Sequence, residues 1–284
     1  MDASNKPSGE ETQDLRGFSG RLLLVGAGKM GSALLEGWLR SGLAGERVTV
    51  IEPQPSSQVA DLARRGVRLE PNAGAIGKAD AVVLAVKPQV AAEAIVPLAP
   101  AVGNTTLVVS IMAGRTLQFL STSFAAPCAL VRAMPNTPAA IGRGITVAAP
   151  LRVSAAQRQL AHGLLAATGA VEWIDDEALM DAVTAVSGSG PAYVFLLAEA
   201  LAQAGVAAGL PLPLAQKLAR ETVSGSGELL HRSTLDAATL RENVTSPGGT
   251  TAAALKVLMA ENGLAPLMAR AIAAATARSR ELAG

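Results

Sequence analysis

Gly26-Ala27-Gly28-Lys29-Met30-Gly31 matches G-x-G-x-x-G in full, and what lies on either side of it decides the fold. Upstream, Arg21–Val25 is a short apolar run that reads as a buried strand; downstream, Met30–Ser41 carries apolar residues at helical spacing. A strand before and a helix after distinguish a dinucleotide-binding turn from an ordinary tight αβ turn. In that setting Gly26 allows the turn, Gly28 lets a pyrophosphate approach the backbone, and Gly31 lets the helix pack against the strand. The helix N-terminus offers unpaired N–H groups and partial positive charge to the phosphates. The reading is a nicotinamide-dinucleotide domain, and hence an oxidoreductase.

Outward from the turn, strand and helix patterns alternate to about residue 175. Val48–Ile51, Val67–Leu69, Ala81–Val86, Thr106–Ile111, Ala129–Arg132, Ile145–Ala148 and Val171–Ile174 read as strands; Ser56–Arg65 and Ala155–Thr168 read as helices. Another helix starts at Lys87-Pro88, with proline in the first turn, where its missing N–H costs nothing. Such alternation predicts an α/β fold, a Rossmann-like, mostly parallel sheet. Glu52 ends the second strand, where an acidic group takes the ribose hydroxyls of a dinucleotide and repels a 2′-phosphate; a solvated loop glutamate is the plainer alternative. Ala85-Val86-Lys87-Pro88 leaves the fourth strand at the edge where such sheets bind ligands, though it also serves as a simple helix start.

After Asp175-Asp176 the strand runs stop, which predicts an all-α C-terminal domain. Helices are expected at Glu177–Val186, Ala192–Ala208, Leu214–His231, Leu235–Asn243, Thr250–Asn262 and Pro266–Ala283, with Ser187–Pro191 as an interruption. The long central helix is apolar nearly all round, so it should be covered on every side. We therefore expect a homodimer through the C-terminal helices. The run Pro191–Leu210 could mimic a membrane span, but Glu199 and Gln203 favour a buried helix. The expected organisation is a disordered leader over residues 1–19, a dinucleotide-binding domain over 20–175, and a helical dimerisation and substrate domain over 176–284.

Composition narrows the function. Half the chain is hydrophobic but only 2 % is aromatic, so Ala, Leu and Val do the packing. A formal net charge of +1 gives no electrostatic footprint for nucleic acid. Cys128 is the one cysteine and His162 and His231 are the one pair of histidines, which disfavours a disulfide framework or a Cys/His zinc site. The polar leader lacks the apolar core of a signal peptide, so no membrane partner is expected and the cytoplasm is the expected location.

Three further stretches resemble the pyrroline-5-carboxylate reductase family: Arg132-Ala133-Met134-Pro135-Asn136-Thr137-Pro138, Val186-Ser187-Gly188-Ser189-Gly190-Pro191-Ala192-Tyr193, and Ser246-Pro247-Gly248-Gly249-Thr250-Thr251. With the glycine turn and Ala85–Pro88, the likeness spans about residues 21 to 281. The resemblance implies reduction of 1-pyrroline-5-carboxylate to L-proline by NADPH or NADH, in a dimer of intertwined helical domains that often assembles into a decamer. Residue by residue, it implies cofactor contacts at Gly26 to Gly31 and Ala85 to Pro88. It places Asn72 near the adenosine end, Met112-Ala113-Gly114 near the nicotinamide, and Asn136 in a turn on the same side of the sheet. Ser246 to Thr251 resembles the substrate loop, with Thr251 beside the ring nitrogen.

The chemistry of that loop is sensible on its own terms. A small anionic cyclic substrate needs donors for its carboxylate, and Gly248-Gly249 before a helix can present backbone N–H groups; an ordinary Ser-Pro-Gly-Gly helix cap uses the same residues. Hydride transfer to a protonated imine needs no strong general acid. Positioning then does most of the work, with the Thr251 hydroxyl or a water donating to nitrogen. Ile51-Glu52-Pro53-Gln54-Pro55 has no basic residue until Arg64, unlike many relatives that favour NADPH, so appreciable use of NADH is expected. Rival readings are a β-hydroxyacid dehydrogenase, which needs a lysine absent around Gly188 to Glu199, a catalytically silent dinucleotide sensor, and a reductase of a six-membered imine.

Overall fold

The computed structural model describes residues 15–74 and 76–283. They form two compact units: residues 15–188 with 275–283, and Ser189–Ala274. The first is built on the strands β1 (Leu22–Val25), β2 (Val48–Ile51), β3 (Arg68–Glu70), β4 (Ala81–Leu84), β5 (Leu107–Ser110), β6 (Ala129–Met134), β7 (Gly144–Leu151) and β8 (Gly169–Trp173). They lie in one sheet in the order β3-β2-β1-β4-β5-β6-β7-β8. Every neighbouring pair is parallel except β6 and β7. That exception has a simple cause. Only the 3-10 turn Thr137–Ile141 joins β6 to β7, and a parallel return needs a crossover of about a dozen residues or more.

Alternation along the strands divides the core in two. Leu22, Leu24, Val48, Val50, Ala81, Val83, Leu107 and Val109 face one layer; Leu23, Val25, Ile51, Val82, Leu84 and Val108 face the other. The helices α1 (Lys29–Arg40), α2 (Ser57–Asp61), α3 (Ala91–Ile95), α4 (Leu117–Ser123), α5 (Ala155–Ala166) and α6 (Met180–Val183) cover the two faces. α1 and α5 share the first layer with Trp38 at its centre, fully buried and donating its indole N–H to Leu164 O at 2.7 Å. α3, α4 and Met180 fill the second. Each leucine so buried contributes about 2 kcal/mol, and coverage on both faces explains strands that are apolar throughout.

Three expectations change here. Residues 1–14 of the expected leader lie outside the described residues, but Leu15–Gly17 is a 3-10 turn rather than part of a leader. Leu15 is buried in the core, and its N–H donates to Ser41 O at 3.0 Å. α4, with Thr116 accepting from Phe119 N as its cap, was not anticipated. Ser187–Pro191 does not interrupt the helix: Thr184–Gly188 is a π-helical turn leading into α7 (Gly190–Ala207). The segment from Glu177 to Gly188 groups with the sheet in the first compact unit.

The second unit holds α7, α8 (Leu212–Arg232), α9 (Ala237–Asn243), α10 (Thr250–Leu258) and the first part of α11 (Leu264–Ala283). Among the described residues, little covers α7. Ala202 is its one buried residue, and Phe195, Leu196 and Leu197 are exposed. By length and composition alone the helical stretch Glu177–Ala207 would suffice to cross a membrane.

Candidate active site

The parallel strands bring their carboxyl ends to one edge of the sheet, and the turns leaving them carry the expected cofactor residues. β1 ends at Val25 and the chain turns at Gly26, whose φ of +91° is open to glycine. Gly26 N donates to Ile51 O at 2.9 Å, while a Cβ on Gly26 would lie 2.8 Å from Ala85 O. The glycine turn and the Ala85–Pro88 turn are therefore in direct contact. A Cβ on Gly31 would collide with Gly26 O, so the close approach of helix to turn requires glycine there. Gly28 differs: a Cβ on it would meet nothing within 4 Å. It is the N-cap of α1 and no side chain caps that helix, so the first-turn N–H groups lie below open space. This arrangement fits a pyrophosphate. Ala27, Lys29 and Met30 complete the turn.

Glu52 follows β2. Its Oε2 accepts from Ala27 N at 2.8 Å and its Oε1 from Gln54 N at 3.1 Å. The carboxylate is thus fastened to the glycine turn. Asn72, beyond β3, is exposed and its Oδ1 accepts from Gly74 N at 3.0 Å. After β4, Ala85 N donates to Val25 O at 2.8 Å, and Lys87 is the N-cap of the 3-10 turn Pro88–Val90. After β5, Met112 is buried, Ala113 is exposed, and Gly114 has φ +72°. Asn136 follows β6, and its Oδ1 accepts from Ile145 N at 3.0 Å. Its side-chain oxygen therefore ties the β6–β7 connection, which leaves Nδ2 as the group that could meet a ligand.

Sequence reasoning missed the residues that hold these turns. Arg115 donates from Nε and Nη2 to Pro88 O at 3.1 and 2.8 Å, and its guanidinium lies 4.8 Å from the Phe119 ring centroid. It joins the Met112–Gly114 turn to the Ala85–Pro88 turn; its place directly after Gly114 was the available signal. Buried Arg132 donates to Glu177 Oε1 at 2.8 Å, and the same oxygen accepts from Leu117 N at 2.8 Å. That pair fixes α4 and the start of the Glu177–Gly188 segment against β6. In the π-helical turn a methyl on Gly188 would press on the movable end of the Met134 side chain, and among the described residues the buried Ser187 Oγ has no hydrogen-bond partner. π-turns and unpaired buried hydroxyls both tend to mark functional segments. His162, by contrast, accepts from Trp173 Nε1 at 3.3 Å and serves packing.

In the helical unit, Ser246–Gly249 joins α9 to α10. Gly248 has φ +71° and Pro247 precedes it. The expectation that Gly249 offers its N–H to a carboxylate is corrected: that N–H donates to Ser246 O at 3.0 Å, closing the turn. Gly249 is the N-cap of α10, and no side chain caps the helix. The donors open to an anion are then the first-turn N–H groups at Thr250 and Thr251. α9 and α10 also wall a groove of about 480 Å³, with Arg241 and Lys256 among its lining residues.

Comparison with known proteins identifies the family of each part of the chain. Residues 177–282 match the family described as pyrroline-5-carboxylate reductase dimerisation, and residues 21–114 match NADP oxidoreductase, coenzyme F420-dependent. The chain is 42 % identical over 265 residues to the pyrroline-5-carboxylate reductase of Pseudomonas aeruginosa, covering 93 % of this chain and 97 % of the relative. Among solved structures, the pyrroline-5-carboxylate reductase of Coxiella burnetii superposes with a TM-score of 0.86 at 33 % identity, over 93 % of this chain and 99 % of that one. The Plasmodium falciparum pyrroline carboxylate reductase, solved with NADP bound, gives 0.78 at 29 % identity over 94 % and 99 %.

Proposed function

The chain belongs to the pyrroline-5-carboxylate reductase family, and from that premise we propose a division of labour between its two units in the reduction of 1-pyrroline-5-carboxylate to L-proline. That NAD(P)H-dependent reduction, a step of proline biosynthesis, is the activity of the chain. The carboxyl edge of the sheet holds the dinucleotide. Gly26–Gly31 receives the pyrophosphate, Glu52 and Asn72 the adenosine end, and Ala85–Pro88, Met112–Gly114 and Asn136 the remainder. The reduced nicotinamide supplies a hydride when bound. The Ser246–Thr251 loop takes the substrate, whose carboxylate is held by the N–H groups of Thr250 and Thr251. The Thr251 hydroxyl serves the ring nitrogen, and the imine enters protonated, so orientation matters more than acid strength. The observation that carries this reading is the placement of the turns after β1, β2, β3, β4, β5 and β6 along one sheet edge.

The chain forms a homo-oligomer through its dimerisation region. We assign the dimer contact to the C-terminal helices, because the exposed Phe195, Leu196 and Leu197 of α7 need an apolar cover. We further assign assembly into a decamer and a cytoplasmic location. The test of the activity is oxidation of NADH and NADPH by the purified protein with 1-pyrroline-5-carboxylate and, in parallel, a six-membered cyclic imine. Faster turnover of the five-membered ring is expected. Turnover of only the six-membered ring, or of neither, would reject the assignment.

A further inference from the structure

We propose that Glu52 makes this chain prefer NADH to NADPH, acting as a carboxylate locked onto the phosphate-binding turn. The proposal rests on the dinucleotide reading of Gly26–Gly31. Its starting point is geometric. Glu52 stands just past β2 at the carboxyl edge, and both of its oxygens are fixed by backbone donors, Oε2 by Ala27 N at 2.8 Å and Oε1 by Gln54 N at 3.1 Å. A carboxylate has about four acceptor positions and no donor. With one N–H on each oxygen, acceptor capacity remains for donors brought by a ligand. A ribose with free 2′- and 3′-hydroxyls brings such donors. A 2′-phosphate brings acceptor oxygens and a charge of about −1.5 to −2, and has nothing to give this group.

Among the described residues, no cation hydrogen-bonds to or pairs with Glu52. Between Glu52 and Ser57 the sequence is Glu-Pro-Gln-Pro-Ser-Ser, without a cation. The cations that follow are engaged elsewhere. Arg64 pairs with Asp61 at 3.4 Å, Arg65 donates from Nη2 to Leu39 O at 3.4 Å, and Arg68 pairs with Glu70 at 2.5 Å. The backbone of Glu70 lies beside Glu52, its carbonyl oxygen accepting from Glu52 N at 3.0 Å. Lys29, at the first position of α1, belongs to the pyrophosphate end of the motif. Pro53 and Pro55 restrict the backbone on either side of Gln54, and the hydrogen bonds from Ala27 N and Gln54 N hold the carboxylate itself. The discrimination is therefore built from repulsion as much as from attraction.

The experiment is a titration of NADH and of NADPH into the purified full chain without imine, followed by nicotinamide fluorescence, on the wild type and on Glu52→Gln. Glutamine keeps an acceptor for Ala27 N but removes the charge. The wild type is expected to bind NADH about tenfold or more tightly than NADPH. In Glu52→Gln the gap should close to about threefold or less, chiefly through tighter NADPH. Wild-type binding of NADPH as tight as or tighter than NADH overturns the proposal, and so does an unchanged gap in the variant. Should Glu52→Gln not fold, salt decides on the wild type alone. A preference made by charge narrows as ionic strength rises from about 0.02 to 0.5 M, and a gap indifferent to salt overturns it. NADH preference without imine reduction would leave this proposal standing and remove the reductase assignment. Failure to bind either dinucleotide would remove both.

Discussion

A methyl group added at Gly28 and one added at Gly31 meet opposite fates. At Gly28 φ is −66° and the new Cβ has open space, so the folded apoprotein should tolerate alanine, while a bound pyrophosphate would lose its close approach to the backbone. At Gly31 the new Cβ would strike Gly26 O, so alanine must push the helix from the turn. Gly28→Ala is expected to keep the wild-type Tm and to weaken dinucleotide binding about tenfold or more; Gly31→Ala should lower both Tm and binding. Thermal melts with and without NADH separate the two. Thr251→Ala should lower kcat by about tenfold or more and leave the dinucleotide Kd within about twofold. An unaltered kcat would mean that Thr251 has no part in the chemistry. At this scale the sequence was most informative, because a glycine forced by a backbone collision leaves its mark in the residue type. Arg115 and Glu177 left no such mark: an arginine or glutamate at those positions is equally at home in water, and their roles depend on partners such as Pro88 O and Arg132.

Among the elements, long periodic segments were legible and short ones were not. α1 and α5 bury a stripe over several turns, whereas α4 offers only Leu117 and Leu120 as buried residues, too few for a period to show. The π-helical turn at Thr184–Gly188 was invisible because Ser-Gly-Ser-Gly reads locally as a breaker; packing of Gly188 against Met134 overrides that preference. Strand direction in β7 likewise depends on loop length and not on strand composition. Caps, by contrast, are chemical signals. Asp236 caps α9, accepting from Thr239 N at 2.7 Å, and that backbone hydrogen bond, followed by one from the Thr239 side chain, holds its carboxyl below the ordinary range. A depressed folded-state pKa means that the cap's stabilisation is complete above the unfolded value and is lost as pH falls through the folded one. Asp236→Asn keeps a side-chain oxygen at every pH. The wild type should therefore lose Tm more than Asp236→Asn as the solution is acidified from neutrality, and parallel pH profiles would show that the charge of the cap contributes nothing.

For the whole molecule, α7 is the element that requires a partner. Of its residues only Ala202 is buried among the described residues, and Phe195, Leu196 and Leu197 are exposed. Exposed apolar surface on that scale marks an interface. Light scattering at micromolar concentration should give at least a dimer, and Leu197→Glu, which places a charge on an exposed apolar position, should shift the mass toward the monomer. A wild-type monomer would reject the assignment of α7 to the interface. The sequence suggests cover on every side of this helix, yet Phe195, Leu196 and Leu197 are exposed; hydropathy records the need for burial and not its source. The central claim concerns where a hydride goes, and it is tested most directly by following the hydride. Incubation with 1-pyrroline-5-carboxylate and reduced nicotinamide dinucleotide carrying two deuteriums at the reactive ring carbon should yield L-proline with one deuterium at the carbon that was double-bonded to nitrogen, read by mass spectrometry and NMR. Proline without the label, or no proline with either NADH or NADPH, would contradict the account.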